Sequence, residues 1–224
     1  MVLDCRSFFN TSRLARTFVR TKPDLSLHVR GSHAAKSSAD REREISDLPI
    51  SHIVQSHHHV DHASGVRSVV AGRAELVVGP GVDDLWDRVL TAESTIRPDA
   101  LSQSPTDAVV HEVAEESSLT LDDDVNTITA YSVPGPHARD MLVTAINTGD
   151  EVFVVNGDLY NGGFGFTVAL PGPSVFFEAL RTTGLIDASC NSELPMTIVS
   201  IHGVPLSLAD ALAEVGALGI DVGC

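Results

Sequence analysis

His57, His59, Asp61 and His62 bring three imidazoles and a carboxylate together within six residues. Neutral imidazole and carboxylate are the usual ligands, other than thiolate, of a borderline cation such as zinc. On a loop leaving a strand, the alternate residues His57 and His59 can point to one ion, while Asp61 and His62 turn toward a second position beside it. One short segment can thereby seed two adjacent metal sites. The plain alternative is a histidine-rich surface tract that collects metal adventitiously. Ile53 and Val54 upstream and Gly65 and Val66 downstream argue against it, because they frame the cluster as strand, loop and helix. His58 alternates away from its neighbours and reads as packing or support for the ligands rather than as one of them.

The run from Ser56 to Gly65 resembles the signature of the metallo-β-lactamase fold superfamily, Thr-His-x-His-x-Asp-His-x-x-Gly, with Ser56 in the threonine's place. That signature implies further ligands downstream. His137 follows the stretch 127–135, Asp158 follows 152–157 and His202 follows 197–201. Each stands just past a short apolar, β-branched run, where a sheet delivers side chains to a common edge.

Carried over residue by residue, the resemblance implies that His57, His59 and His137 hold one metal, that Asp61, His62 and His202 hold the other, and that Asp158 bridges them. It implies Zn2+, two per chain, with Fe or Mn as the alternatives. Zinc lowers the pKa of a bound water from about 15.7 toward roughly 7, so hydroxide exists at neutral pH without a protein nucleophile. The implied chemistry is hydrolysis of an ester, lactone, lactam or related bond in a small-molecule substrate. Asp61 would also orient the water, which makes it the expected catalytic residue. Iron-binding electron-transfer relatives place Glu where this chain has His59, which weighs against a di-iron redox centre. A mononuclear-iron dioxygenase-like member and a metal-binding but inactive member remain as alternatives. A Ser/His/Asp hydrolase is set aside because no Gly-x-Ser-x-Gly elbow occurs.

The elements that must position these residues follow from periodicity. Strands are expected at 49–55, 75–78, 108–113, 119–121, 126–132, 141–147, 151–156 and 197–201. Helices are expected at 63–70, 82–92, 174–183 and from Ser207 to about 215, while 95–106 reads as a loop or capping insertion. Asn147-Thr148-Gly149-Asp150 is a hairpin signal. The acidic triplet at 122–124 lacks the spaced oxygens of a calcium loop and reads as a solvated hairpin tip. Trp86 reads as core. With the family likeness, this pattern implies an α+β fold, the four-layer αβ/βα sandwich, in one domain spanning 1–224. Family members open with several strands and an acidic Asp-Thr-Gly-like turn. This chain has no such turn, so a reduced first sheet is expected, and residues 1–40 have no assigned counterpart.

Three further candidates touch substrate rather than metal. Tyr160, two residues past Asp158, could hydrogen-bond a substrate oxygen. Phe164 and Phe166, in a glycine-rich stretch, read either as a flap over an apolar substrate or as a plain loop packing two aromatics. His28, His33, His52 and His111 lie off the motif and read as solvated or hydrogen-bonded.

Charge narrows the partners. The chain of 224 residues carries a formal net charge of −15, yet residues 1–47 hold nine Lys/Arg against six Asp/Glu, so the acid lies downstream. A surface that acidic repels phosphate backbones and anionic lipid, which disfavours nucleic acid and membrane as partners. Residues 1–24, basic and interspersed with phenylalanine, could be a targeting segment or a surface helix. Otherwise a soluble, cytoplasmic protein is expected, with a homodimer possible. Cys5, Cys190 and Cys224 are too scattered for a zinc site, and the odd count argues against a disulfide framework. All three are expected to be structurally neutral.

Overall fold

The computed structural model describes residues 49–123, 125–163 and 171–224, together with the backbone of two short strands, Val2–Asp4 (β1) and His28–Arg30 (β2). Phe164, Phe166 and most of the basic N-terminal segment lie outside the described residues. Val2–Asp4, at the head of the stretch read as helical or targeting, is a strand. It lies parallel between β2 and His52–Val54 (β3).

The first sheet continues with Glu75–Val78 (β4) and Val110–Glu112 (β5), in the order β2-β1-β3-β4-β5 with every pairing parallel. Parallel neighbours need crossover connections. Here Val60–Ala63 (α1) and Val66–Val70 (α2) cross between β3 and β4, and Asp83–Thr91 (α3) and Ala100–Gln103 (α4) cross between β4 and β5. The last of these falls inside the stretch expected to be irregular. Its single turn is capped by Asp99, whose carboxylate accepts from the Ser102 N–H at 2.8 Å and from Arg67 Nε at 2.6 Å. The Arg67 guanidinium holds the Asp99 carboxyl well below the usual carboxylate range.

The second sheet is built from hairpins. Ser118–Asp122 (β6), Thr127–Ser132 (β7), Leu142–Asn147 (β8) and Val152–Val155 (β9) pair antiparallel in sequence. The expected turn between β8 and β9 is present, with Gly149 at φ 87° and its N–H bonded to Asn147 Oδ1 at 2.8 Å. Gly172–Thr182 (α5) then crosses over so that Met196–Val199 (β10) lies parallel to β9. Leu206–Ser207 (β11) closes the edge, and Leu208–Ala217 (α6) follows, capped by Ser207.

Side-chain alternation divides the core into three interfaces and therefore the molecule into four layers. Ile53, Leu76 and Val78 face Val66, Val69, Val70 and Trp86 on the helices outside the first sheet. Val54 and Val77 face the other way, against Ile128, Leu142, Ile146, Phe153 and Val155 of the second sheet. Val143, Ala145, Val152 and Val154 point outward to Phe176, Phe177, Leu180 and Ala211 on α5 and α6. Strands buried on both faces read as continuous apolar runs, as β9 does, while β8 is interrupted by the buried Thr144. This is the αβ/βα sandwich expected, with a first sheet whose strands are only three or four residues long.

Two expectations are corrected. Cys190 and Cys224 form a disulfide across 34 residues, tying the C-terminal tail to the loop after α5. Tyr160 is core, not substrate platform. It is buried, stacked near Phe176, and its hydroxyl donates to Glu214 at 3.0 Å. Burial, with the Glu214 carboxylate beside it, raises the Tyr160 phenol above its ordinary range. Among the described residues no helix is long and apolar enough to cross a membrane.

The two sheets meet closely at one point near the ligands. A Cβ at Gly79, just past β4, would overlap the backbone carbonyl of Asp140. Gly79→Ala is therefore expected to lower stability by about 1–3 kcal/mol through overpacking, read from the urea midpoint; an unchanged midpoint would show that this contact has slack.

Candidate metal centre

Strand direction explains why residues spread from 57 to 202 can share a site. Two antiparallel steps cancel, so β7 and β9 run the same way, and β10 runs parallel to β9. Their C-terminal ends therefore lie on one edge, and His137, Asp158 and His202 sit in the loops that leave them. The loop after β3 is brought to that edge by a hydrogen bond between sheets, Leu142 N–H to the Ser56 carbonyl at 2.8 Å. Asp61 and His62 then occupy the one-turn helix α1, whose N-cap is His59.

The seven residues nominated as ligands converge as two groups. His57, His59 and His137 form one, and Asp61, His62, Asp158 and His202 the other; within each group the candidate ligand atoms lie within 4.8 Å of one another. His137 Nε2 is 3.2 Å from His57 Nε2, 2.9 Å from His59 Nδ1 and 3.3 Å from Asp158 Oδ2. His62 Nε2 is 3.1 Å from Asp158 Oδ2 and 3.4 Å from His202 Nε2. His202 Nε2 is in turn 3.3 Å from Asp61 Oδ2 and 3.4 Å from Asp158 Oδ1.

Those distances test whether a cation fits. A neutral imidazole has one N–H and one lone pair, so the single proton available to His137 Nε2 cannot satisfy two facing ring nitrogens and a carboxylate. Asp158 Oδ1 is buried and makes no hydrogen bond. Ligand atoms about 3.3 Å apart are what tetrahedral bonds of roughly 2.0–2.2 Å to nitrogen and oxygen produce. The donor set fits a pair of divalent ions.

Electrostatics keep His57, His137 and Asp158 in their ligating forms. Burial lowers the His57 pKa to about 2, and the neighbouring His62 acts in the same direction. Burial also lowers that of His137. For Asp158, burial pushes the pKa up, but the hydrogen bond from His62 and the charges of His62, His202 and His57 outweigh it, and the net shift is downward. At neutral pH His57 and His137 are therefore uncharged and Asp158 is ionised, as a metal requires.

Supporting contacts were less visible in the sequence. Ser56 Oγ lies 3.2 Å from His57 Nδ1 and 3.3 Å from His62 Nδ1, so one hydroxyl aims the Nε2 of both rings inward. Asp140, buried, bonds His58 Nδ1 at 2.7 Å and fixes the loop between the first two histidines. The sequence signal for Asp140 was a lone acid immediately before the apolar run of β8. Asn156 bonds Ser200 Oγ at 3.4 Å and the Tyr160 N–H at 3.2 Å, coupling the loops that carry Asp158 and His202. Gly157 takes φ 61°, and a Cβ there would stand 3.3 Å from that of Ser56, so only glycine brings Asp158 this close.

Comparisons with known proteins agree on the fold. No family model matches the chain, and no curated protein matches it. Among solved structures, the BLEG-1 B3 metallo-β-lactamase superposes with a TM-score of 0.52 at 15% identity, covering 81% of this chain and 83% of that one. A metallo-β-lactamase from Pontibacter korlensis gives 0.51 at 14% identity, covering 83% and 78%. A peroxy diiron species of the chemotaxis sensor ODP gives 0.52 at 14%, covering 84% and 75%. The chain has the metallo-β-lactamase fold, and its donor cluster occupies one edge of that sandwich.

Two outcomes follow. Ser56→Ala should weaken Zn2+ binding by about 10–100-fold with the fold intact, as loss of a ligand's hydrogen-bond partner does elsewhere; unchanged affinity in a competition with a chelator would remove Ser56 from the account. The metal-free protein should also lose stability as pH falls below about 6.5, because unfolded imidazoles take up protons there while folded His57 does not and folded His137 does so less readily. Between pH 6.5 and 5 the loss from His57 alone is roughly 2 kcal/mol, measured by urea denaturation; a flat profile would contradict it.

Proposed function

We propose that this protein is a metal-dependent hydrolase that uses two zinc-class ions to cleave an ester, lactone, lactam or related bond in a small molecule. The observation that supports it best is the position of Asp158 between the two donor groups, with Oδ2 toward His62 and His137 and Oδ1 toward His202. A carboxylate placed so is suited to bridge. With His59, rather than a glutamate, in the first group, the reading favours zinc over iron.

When bound, ions of this class polarise a substrate oxygen and acidify water. The chain's residues supply direction. The side chains of His57 and His62 are fully buried and form the floor, while those of His137, His202 and Asp61 are 18%, 27% and 36% exposed and mark the open side. Substrate therefore approaches over Asp61 and His202. Of the centre's two carboxylates, Asp61 is the accessible one, since the side chain of Asp158 is 6% exposed. In this reading Asp61 would orient the attacking water, accept its proton and return it to the leaving atom, while buried Asp158 would hold the site together. Which bond is cleaved depends on the walls of the opening, and fold does not choose among such substrates.

The zinc-loaded protein should hydrolyse at least one member of a panel of esters, lactones and lactams, with Asp61→Ala lowering kcat by about 10²–10⁴-fold in samples whose metal content is measured alongside. A wild type that retains two ions and turns over nothing in the panel would favour the metal-binding, inactive reading instead.

A further inference from the structure

A second cluster of metal-type donors lies at the other end of the first sheet. His52, Glu75 and His111 come from three adjacent parallel strands, β3, β4 and β5, and their ligand atoms lie within 4.8 Å of one another. Register and alternation explain the meeting. His52 pairs with Glu75 in register, and His111 stands opposite Val77, two residues along from Glu75. Val54, Val77 and Val113 all face the second sheet, and residues two apart on a strand share a face. His52, Glu75 and His111 thus project from that same face, at the margin where the sandwich opens to solvent. His57 stands five residues beyond His52, or roughly 16 Å along an extended chain, so this cluster is separate from the centre described above.

From this arrangement we infer a third metal site, His52–Glu75–His111, that takes a divalent cation of the zinc class and pins three strands of the first sheet together. Two imidazoles and a carboxylate are a donor set for zinc and its transition-metal neighbours, not for calcium or magnesium, which prefer oxygen alone. Three protein donors leave a position for water. Both rings direct Nε2 at the same carboxylate oxygen, Glu75 Oε2, at 3.6 Å for His52 and 2.5 Å for His111. Tetrahedral ligands stand about 3.3 Å apart, so on binding the His52 contact would close by about 0.3 Å and the His111 contact would open by about 0.8 Å. The side chains are 24–40% exposed and free to make that adjustment.

His52 is also braced as a ligand would be. Its Nδ1 lies 3.1 Å from Ser51 Oγ, which turns Nε2 toward Glu75. Ser56 braces His57 and His62 in the same way, and such an outer partner is the usual companion of a ligating histidine. A simple Glu75–His111 ion pair accounts for neither His52 nor its brace. Burial lowers the His52 pKa against the opposing charge of Glu75, and the hydrogen bond from His111 lowers that of Glu75, so at neutral pH His52 has a lone pair and Glu75 a charge to offer. All five strands of the first sheet are only three or four residues long and pair through few hydrogen bonds, which gives such an ion a structural purpose.

The full chain, incubated with Zn2+ and passed through a metal-free sizing column, tests this by elemental analysis and melting temperature. Glu75→Gln and His111→Ala should each retain one equivalent fewer than wild type, and Zn2+ should raise their melting temperatures less. The same deficit should persist when either change is made in a His57→Ala background, which separates this site from the hydrolytic centre and keeps the inference testable if that reading fails. Should His111→Ala fold poorly, the nearly isosteric Glu75→Gln decides alone. Equal zinc content in wild type and Glu75→Gln, or zinc retained equally by both as an adventitious ion only, overturns the inference.

Discussion

A buried carboxylate surrounded by ring nitrogens governs this structure. Asp158 is 5% exposed, and placing a charge in so dry a position costs several kcal/mol unless compensating charge is supplied. Its neighbours are His57, His62, His137 and His202. Neutral imidazoles compensate it only in part, and protonating them all would place several like charges within touching distance. Divalent cations would resolve the conflict, because each lone pair and each carboxylate oxygen would then have a partner. The organisation of the sheet edge follows from the need to bring those side chains within a few ångströms of one another and keep them there.

The sandwich meets that need by direction and by cross-linking. Three strands of the second sheet end on one edge, and the hydrogen bond from Leu142 to Ser56 fastens the first sheet's ligand loop to it. Ser56 then serves two rings, Asp140 holds His58, and Asn156 joins the loops of Asp158 and His202. None of these need touch a substrate. They restrict rotation of the ligands, so that the ordering entropy is met during folding and not at the moment of binding.

The sequence revealed more of the centre than of its surroundings, for a physical reason. The family signature implied ligands downstream, and His137, Asp158 and His202 answered it because each stands shortly after an apolar, β-branched run of the kind that announces a strand. The elements of the second sheet were legible on the same grounds, as was the core position of Trp86. Contacts determined by distant pairing were not. Cys190 and Cys224 are 34 residues apart with nothing local to join them, and Tyr160 owes its burial to Glu214 and Phe176, on helices far along the chain. His52 and His111 read as unconnected histidines until three strands placed them on either side of Glu75. The short helix at Ala100–Gln103 was hidden because its stability comes from Arg67, not from its own periodicity.

The account stands or falls on whether paired cations occupy the edge where Asp158 lies. Anomalous diffraction from zinc-loaded crystals, recorded on either side of the zinc absorption edge, locates them directly. It should show two peaks flanking Asp158, one touching His57, His59 and His137 and the other touching Asp61, His62 and His202. A single peak that leaves either group without metal, or density that avoids Asp158 altogether, would contradict the central claim.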